Sequence, residues 1–352
     1  MMAVDRMLNL DLKIFVTGMH MLSRYGRTVI EIQKCGFPGI YTFINQRAGD
    51  AMDVVMAKSI TGLSDYVREE TPDLIIIHGD RLEALAGAIV GSFNNILVAH
   101  IEGGEISGTI DELIRHSVTK LSHLHFVSNE EARNRLFQMG EAEENIKVIG
   151  SPDLDVMCSD SLPSLEEVRE HYDIRLDSYS IFMFHPVTTE IELLAGHIAE
   201  VVNALISSNE NYVVIYPNND HGSEVILEEL ERLRGNPRFC IFPSIRFEYF
   251  LTLLKNTKWM IGNSSAGVRE APFYGKPSIN IGSRQNGRAN APTIVNVKPE
   301  FTSIIAALAE LPELEHENYH EFGSGNSAEL FIDFLESGGF WDMTTQKIFV
   351  NR

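Results

Sequence analysis

Residues 73–80 read DLIIIHGD and residues 96–105 read ILVAHIEGGE. Each is a nearly unbroken aliphatic run that stops abruptly in polar or glycine residues. A run that is apolar on both faces suits a strand of a parallel sheet covered by helices. The same texture recurs at 12–18, 39–45, 123–129 and 146–152, then at 179–187, 212–220, 239–245, 259–267 and 277–283. Amphipathic stretches lie between them. In 50–69, Met52, Val55, Met56, Ile60, Leu63 and Val67 form one apolar stripe. Further helices are expected at 81–92, 111–121, 130–139, 190–207, 223–234, 246–255 and 265–274. Strand, polar loop and helix in this repetition predict an α/β fold of two Rossmann-like, doubly wound domains. Pro152 to Pro163, enclosing Ser159, Asp160 and Ser161, reads as the linker. The expected division is 1–160, 161–325, and a C-terminal helix within 326–352 that packs back on the first domain.

The totals agree with a small-molecule enzyme. A chain of 352 residues has room for two cores. Hydrophobic residues make up 44%, and no apolar run is long enough to cross a bilayer. The opening MMAVDRMLNLDLKIF lacks the features of a signal peptide, so a cytoplasmic protein is expected. Cys35, Cys158 and Cys240 are scattered, in no metal-ligand spacing, and read as reduced thiols. With 49 acidic against 29 basic residues the net charge is −20, which argues against a nucleic-acid surface. A phosphate ligand is still compatible, because a small site can be locally positive.

In open α/β sheets, ligands bind beyond the carboxyl ends of strands. The residues there are the candidates. Asp80 and Arg81 follow one strand; they can position a reacting group or phosphate, or Asp80 can serve only as an N-cap. Glu102 and Glu105 flank two glycines after the next strand, where a carboxylate can act as general acid or base. His100 beside them raises a metal site, but no completing spacing is present. Asp111 opens a helix, as a reacting group or as a complement to the helix dipole. Crowded carboxylates raise one another's pKa, which lets one site hold both an acid and a base. In the second half, His185 follows a strand, as diphosphate contact or as a structural histidine. Asn218 closes the next, where a turn is the plain alternative. Gly262-Asn263-Ser264-Ser265-Ala266-Gly267 lies between strand and helix and reads as an anion site at a helix N-terminus. Glu270 follows within one turn, placed for ribose hydroxyls. Arg284 and Arg288 suit phosphate, with a surface position the alternative for Arg288. Neither a GxGxxG nor a Walker loop is present.

Taken together, HGDRLEALA, HIEGGEISGTIDELIRHSVTKLSH, FHPVTTE, YPNNDHGSE, GNSSAGVRE and GSRQNGR resemble the hydrolysing UDP-N-acetylglucosamine 2-epimerases of sialic-acid synthesis. The motifs run in the family's order from about residue 12 to the C-terminal region. The resemblance implies a GT-B-like pair of domains with the nucleotide sugar between them, no cofactor, no metal, and a homodimer or homotetramer. It makes Asp80, Glu102 and Asp111 the acid/base carboxylates and puts His185 with the catalytic set. It also assigns His185, Ser264, Ser265 and Arg284 to the diphosphate, Glu270 to the ribose, and Arg81 and Asn218 to the site lining. The implied reaction removes the proton on sugar carbon 2, expels UDP, and adds water to give N-acetylmannosamine.

One feature departs from the family. Its members usually begin with a strand ending in a Gly-Ser/Thr-Arg-Ala-Asp/Glu-Tyr loop, and nothing here matches it. The first sheet is therefore expected to lack its initial central strand, with weakened nucleotide binding and a less stable first domain. Rival readings are an epimerase acting on a UDP- or GDP-linked diacetylbacillosamine, a GT-B glycosyltransferase, and a catalytically silent nucleotide-sugar-binding protein.

Overall fold

The computed structural model describes residues 1–7, 9–47, 49–107, 109–288, 291–311, 318–348 and 350–351. Two compact units divide the chain: the first holds 1–105, 111–155 and 322–352, the second 106–110 and 156–321. The chain first forms α1 (Met2–Asp5), β1 (Ile14–Val16), α2 (Val29–Lys34), β2 (Ile40–Thr42), α3 (Met52–Glu70), β3 (Leu74–His78) and α4 (Leu82–Phe93). It continues through β4 (Leu97–Ile101), α5 (Ile110–Leu121), β5 (Leu124–Val127), α6 (Glu130–Gln138), β6 (Ile146–Val148) and α7 (Pro152–Met157). Next come α8 (Leu165–Tyr172), β7 (Ser180–Met183), α9 (Ile191–Ser207), β8 (Tyr212–Ile215), α10 (Ser223–Leu230) and β9 (Phe239–Phe242). The second unit ends with α11 (Phe247–Asn256), β10 (Met260–Gly262), α12 (Glu270–Phe273), β11 (Ser278–Ile281), β12 (Ile294–Val297) and α13 (Phe301–Glu310). Finally α14 (Ser327–Ser337) belongs to the first unit.

The second unit holds a six-stranded sheet in the order β12-β11-β10-β7-β8-β9, with every pair parallel. Phe182, Ile198, Val214, Ile226, Ile261, Ile279 and Ile304 form its core. The first unit splits its strands between a parallel pair, β1-β2, and a four-stranded parallel sheet, β3-β4-β5-β6. Among the described residues no strand joins β1 to β3, so the two sheets stay separate. That leaves β3 at an edge. Ile76, which its apolar run predicts to be covered, is 39% exposed there.

Helix α4 sits close against this sheet because its inner face is small. A Cβ added at Gly91 would lie 2.3 Å from Cγ2 of Val98 on β4. On the same sheet, Phe331 and Leu335 of α14 pack with Leu97, Leu124 and Phe126. The rings of Phe126 and Phe331 meet edge to face at 4.7 Å. No helix among the described residues is long and apolar enough to cross a membrane.

The pattern reading does not anticipate β12 or the helices α2, α7, α8 and α13, and α7 occupies the first part of the stretch expected to be the linker. Helix α8 carries a legible signal, since Ser164 and Glu167 form a reciprocal capping box. The continuous helix expected over 265–274 is a correction. A single 3-10 turn, Ser265–Gly267, is followed by the four-residue α12. Gly267 is a poor helix former, and Pro272 has no N–H to continue the ladder.

Burial inside the first unit has a consequence for acid stability. It pushes the imidazole of His100 down to about 3, and it lowers those of His123 and His125. A folded-state pKa below the unfolded value means that the unfolded chain binds more protons below about pH 6.5. The stability of the neutral forms is therefore complete above that pH and is lost as pH falls through it. Calorimetry at pH 7 and pH 5 should find a lower Tm at pH 5, with the first unit melting earlier.

Candidate active site

The parallel strands of the first unit end side by side, with His78 of β3 in register with Ile101 of β4. Their polar successors come together there. The N-cap position of α4 is Arg81, not Asp80, and Arg81 makes no side-chain cap bond. The Asp80 carboxylate accepts a hydrogen bond from Nη2 of Arg115 on α5. Arg115 is 1% exposed and donates a second bond, 3.1 Å, to the carbonyl of Glu105. A buried guanidinium is tolerable only when paired in this way. Asp111, one helical turn before Arg115 on the same face of α5, is buried.

Glu102 follows β4 with φ +62°, in the left-handed region where a side chain is disfavoured. Its own N–H, bonded to the carbonyl of Phe126 at 2.8 Å, holds it there. Such strain costs on the order of 1–3 kcal/mol and persists where the surroundings impose it. The result is a buried carboxylate aimed at the neighbouring strand end, 2.7 Å from Nε2 of the half-exposed His78. Glu105 is buried and accepts a 3.0 Å bond from Ser128 Oγ. His100 is occupied structurally, with Nε2 2.9 Å from the carbonyl of Gly79. Among the described residues no three His, Cys, Asp or Glu side chains are grouped as metal ligands.

In the second unit the sequence candidates gather around Asn263, just past β10. Its Oδ1 accepts from the His185 N–H at 2.6 Å, and its Nδ2 donates to the His185 carbonyl at 2.8 Å. The Asn263 carbonyl accepts from Nη1 of Arg284 at 3.2 Å and from Nε2 of Gln285 at 3.0 Å. This close weave needs Gly262, at φ +135°: a Cβ there would lie 1.8 Å from the Met183 carbonyl oxygen. The Asn218 N–H donates to Nδ1 of His185 at 3.0 Å, so the neutral ring carries its proton on Nε2. That Nε2–H is a donor suited to an anion. The Asn218 side chain donates to Asp220 at 2.6 Å, closing a turn. Ser264 is buried, and its Oγ accepts from the Ala266 N–H at 3.3 Å. Ser265 is half-buried, while Glu270 and Arg284 are buried.

Each unit thus assembles its own share of the sequence candidates. Asp80, Glu102 and Asp111 lie in the first; His185, Asn218, Ser264, Ser265, Glu270 and Arg284 lie in the second. The sequence motifs contain His78, Arg115, Asn263 and Gln285 but give none of them a role of its own. Arg115 had a signal in its spacing, four residues after Asp111. The others depend on contacts between distant strands.

The class these features define is a GT-B-like protein of two Rossmann-like units, carboxylates in one and anion-suited donors in the other. A family profile described as UDP-N-acetylglucosamine 2-epimerase matches residues 2–336. The chain belongs to that family. It is 49% identical over 347 residues to the UDP-N-acetylglucosamine 2-epimerase of Neisseria meningitidis serogroup B, covering 97% of this chain and 92% of the relative. It is 34% identical over 337 residues to the UDP-N,N'-diacetylbacillosamine 2-epimerase (hydrolyzing) of Legionella pneumophila, covering 94% and 89%. Among solved structures, the S. aureus MnaA-UDP co-structure shares the fold, with a TM-score of 0.77 at 20% identity, covering 100% of this chain and 94% of that one.

Asn263 is the structural hub of the second unit's share. Replacing it with Ala strips partners from the buried N–H and carbonyl of His185. Chemical denaturation of N263A should show a loss of about 1–3 kcal/mol, the cost of unsatisfied buried polar groups.

Proposed function

We propose that this chain is a hydrolysing 2-epimerase that converts UDP-N-acetylglucosamine and water to N-acetylmannosamine and UDP. Carbon-bound hydrogen is weakly acidic, so its removal calls for an oriented, desolvated carboxylate. A carboxylate of the set Asp80, Glu102 and Asp111 takes the proton from sugar carbon 2. The bond from carbon 1 to the diphosphate oxygen breaks, its electron pair leaving with UDP, and a carbon 1–carbon 2 double bond forms. Water then delivers hydroxide to carbon 1, and an acid returns a proton to carbon 2 from the opposite face. The product has the manno configuration and is the free sugar that nonulosonic (sialic) acid synthesis consumes.

The observation that carries this reading is Glu102, a buried carboxylate held in strained backbone at a strand end. Support for the nucleotide comes from the second unit: Nε2 of His185, Ser264, Ser265 and Arg284 offer donors to a departing diphosphate, whose growing charge they stabilise. Glu270 is assigned to the ribose, and Arg81 and Asn218 to the lining. The 49% identity to a UDP-N-acetylglucosamine 2-epimerase favours that sugar. The 34% identity to a hydrolysing diacetylbacillosamine enzyme supports a second reading in which only the sugar differs.

Incubation with each nucleotide sugar, without an acceptor, separates these readings. Free N-acetylmannosamine and UDP in equal amounts are expected from UDP-N-acetylglucosamine; turnover of the diacetylbacillosamine nucleotide alone would transfer the assignment. The absence of any free sugar would remove the hydrolytic reading. Glu102→Gln should lower kcat by about 10²–10⁴-fold, the range of general acid–base help, while UDP binding measured by calorimetry is retained.

A further inference from the structure

Helix α5 carries Asp111 in its first turn and Arg115 in its second, so its position along its own axis sets both groups. Its other end is held by the C-terminal segment of the chain. The Lys347 ammonium donates to the carbonyls of Thr119 at 2.8 Å and Ser122 at 2.7 Å, at the carboxyl end of the helix. A cation at the negative end of the helix dipole is favourable. Lys347 is also 2.5 Å from Oε2 of Glu141, a carboxylate 1% exposed. That carboxylate also meets Lys120 of α5 at 2.7 Å and Nε2 of His125 at 3.0 Å. A second attachment lies two residues earlier. The Val98 N–H donates to Nδ1 of His123, and Nε2 of that ring donates to the Thr345 carbonyl at 3.0 Å.

These contacts are costly to build unless they hold something. Burial lowers the Lys347 ammonium from its ordinary range, although Glu141 opposes that shift. Burial alone would raise Glu141, but His125, Lys347 and Lys120 together outweigh it and hold the carboxylate at about 2. The titratable groups facing Lys347 are therefore the Glu141 carboxylate, the Lys120 ammonium and the imidazoles of His125 and His123, both lowered by burial, with two helix-end carbonyls beside them.

We propose that Lys347 is a positioning residue. By clamping the carboxyl end of α5 to Glu141, it fixes the register in which that helix presents Asp111 and Arg115 to the reaction. This inference rests on the epimerase reading for its catalytic consequence, but not for the clamp itself.

Lys347→Met removes the ammonium and keeps most of the stem. It should lower kcat by about 10- to 100-fold, as expected for a small misplacement of reacting groups, while the dissociation constant for UDP stays that of the parent. Amide deuterium exchange should quicken along 110–121, including the first turn near Asp111. For Lys347→Ala, added propylammonium, the fragment removed, should restore part of kcat. Parent-like kcat and parent-like exchange in K347M would overturn the proposal. So would a kcat loss matched by an equal loss of UDP binding with no amine rescue, which marks general destabilisation. If the parent itself releases no free sugar, the epimerase reading fails, and the exchange measurement on α5 still decides the clamp.

Discussion

An arginine with 1% of its side chain exposed must have partners, and Arg115 finds them in Asp80 and in the carbonyl of Glu105. The pairing is a packing constraint before it is anything catalytic. Arg115 lies on α5, Asp80 follows β3, and Glu105 belongs to the loop after β4. One guanidinium therefore ties three segments, distant in sequence, into one arrangement. Breaking such a pair leaves an uncompensated charge in a low-dielectric interior, which costs about 3–5 kcal/mol. The same bond keeps Asp80 oriented and places the helix that carries Asp111.

The two units solve the problem of holding polar groups by different means. The first uses ionisable partners: Asp80 with Arg115 and Glu141 with Lys120 and Lys347 are ion pairs, while Glu102 and Glu141 also meet the imidazoles of His78 and His125. The second builds on amide and backbone bonds around Asn263, joined by the Arg284 guanidinium. That difference suits the proposed roles. A carboxylate that must exchange a proton needs its neighbours' charge to set its affinity. Donors that receive a diphosphate need fixed direction, which neutral hydrogen bonds to the backbone supply.

Strain follows the same division. Glu102 is in the left-handed region although it carries a side chain, whereas the positive φ at the end of β10 falls on Gly262. Where glycine serves, the backbone bends without cost to a side chain. Where a carboxylate is required at that spot, the fold bears the strain through the bond from Glu102 N–H to the Phe126 carbonyl.

The sequence by itself determined the α/β class and the eleven strand positions read from it, because a strand buried on both faces has to be apolar throughout and a parallel strand has to end in its loop residues. It also put Asp80, Glu102 and the residues around Asn263 just past strand ends and Asp111 at a helix start, since an apolar run has to stop where the chain leaves the covered sheet. That no strand among the described residues joins β1 to β3 agrees with the expectation drawn from the missing Arg-loop motif. β12, with its isolated four-residue run, and the break at Gly267 and Pro272 were not read. Only the tertiary structure decided which partner each polar group took. Asp80 turned to Arg115, Glu102 to His78, and Lys347 to a helix end more than 220 residues earlier in the chain. The physical reason is range: strand and helix patterns arise from neighbours a few residues apart, whereas the pairing of buried charges is settled by which groups the packed sheet brings within a few ångströms.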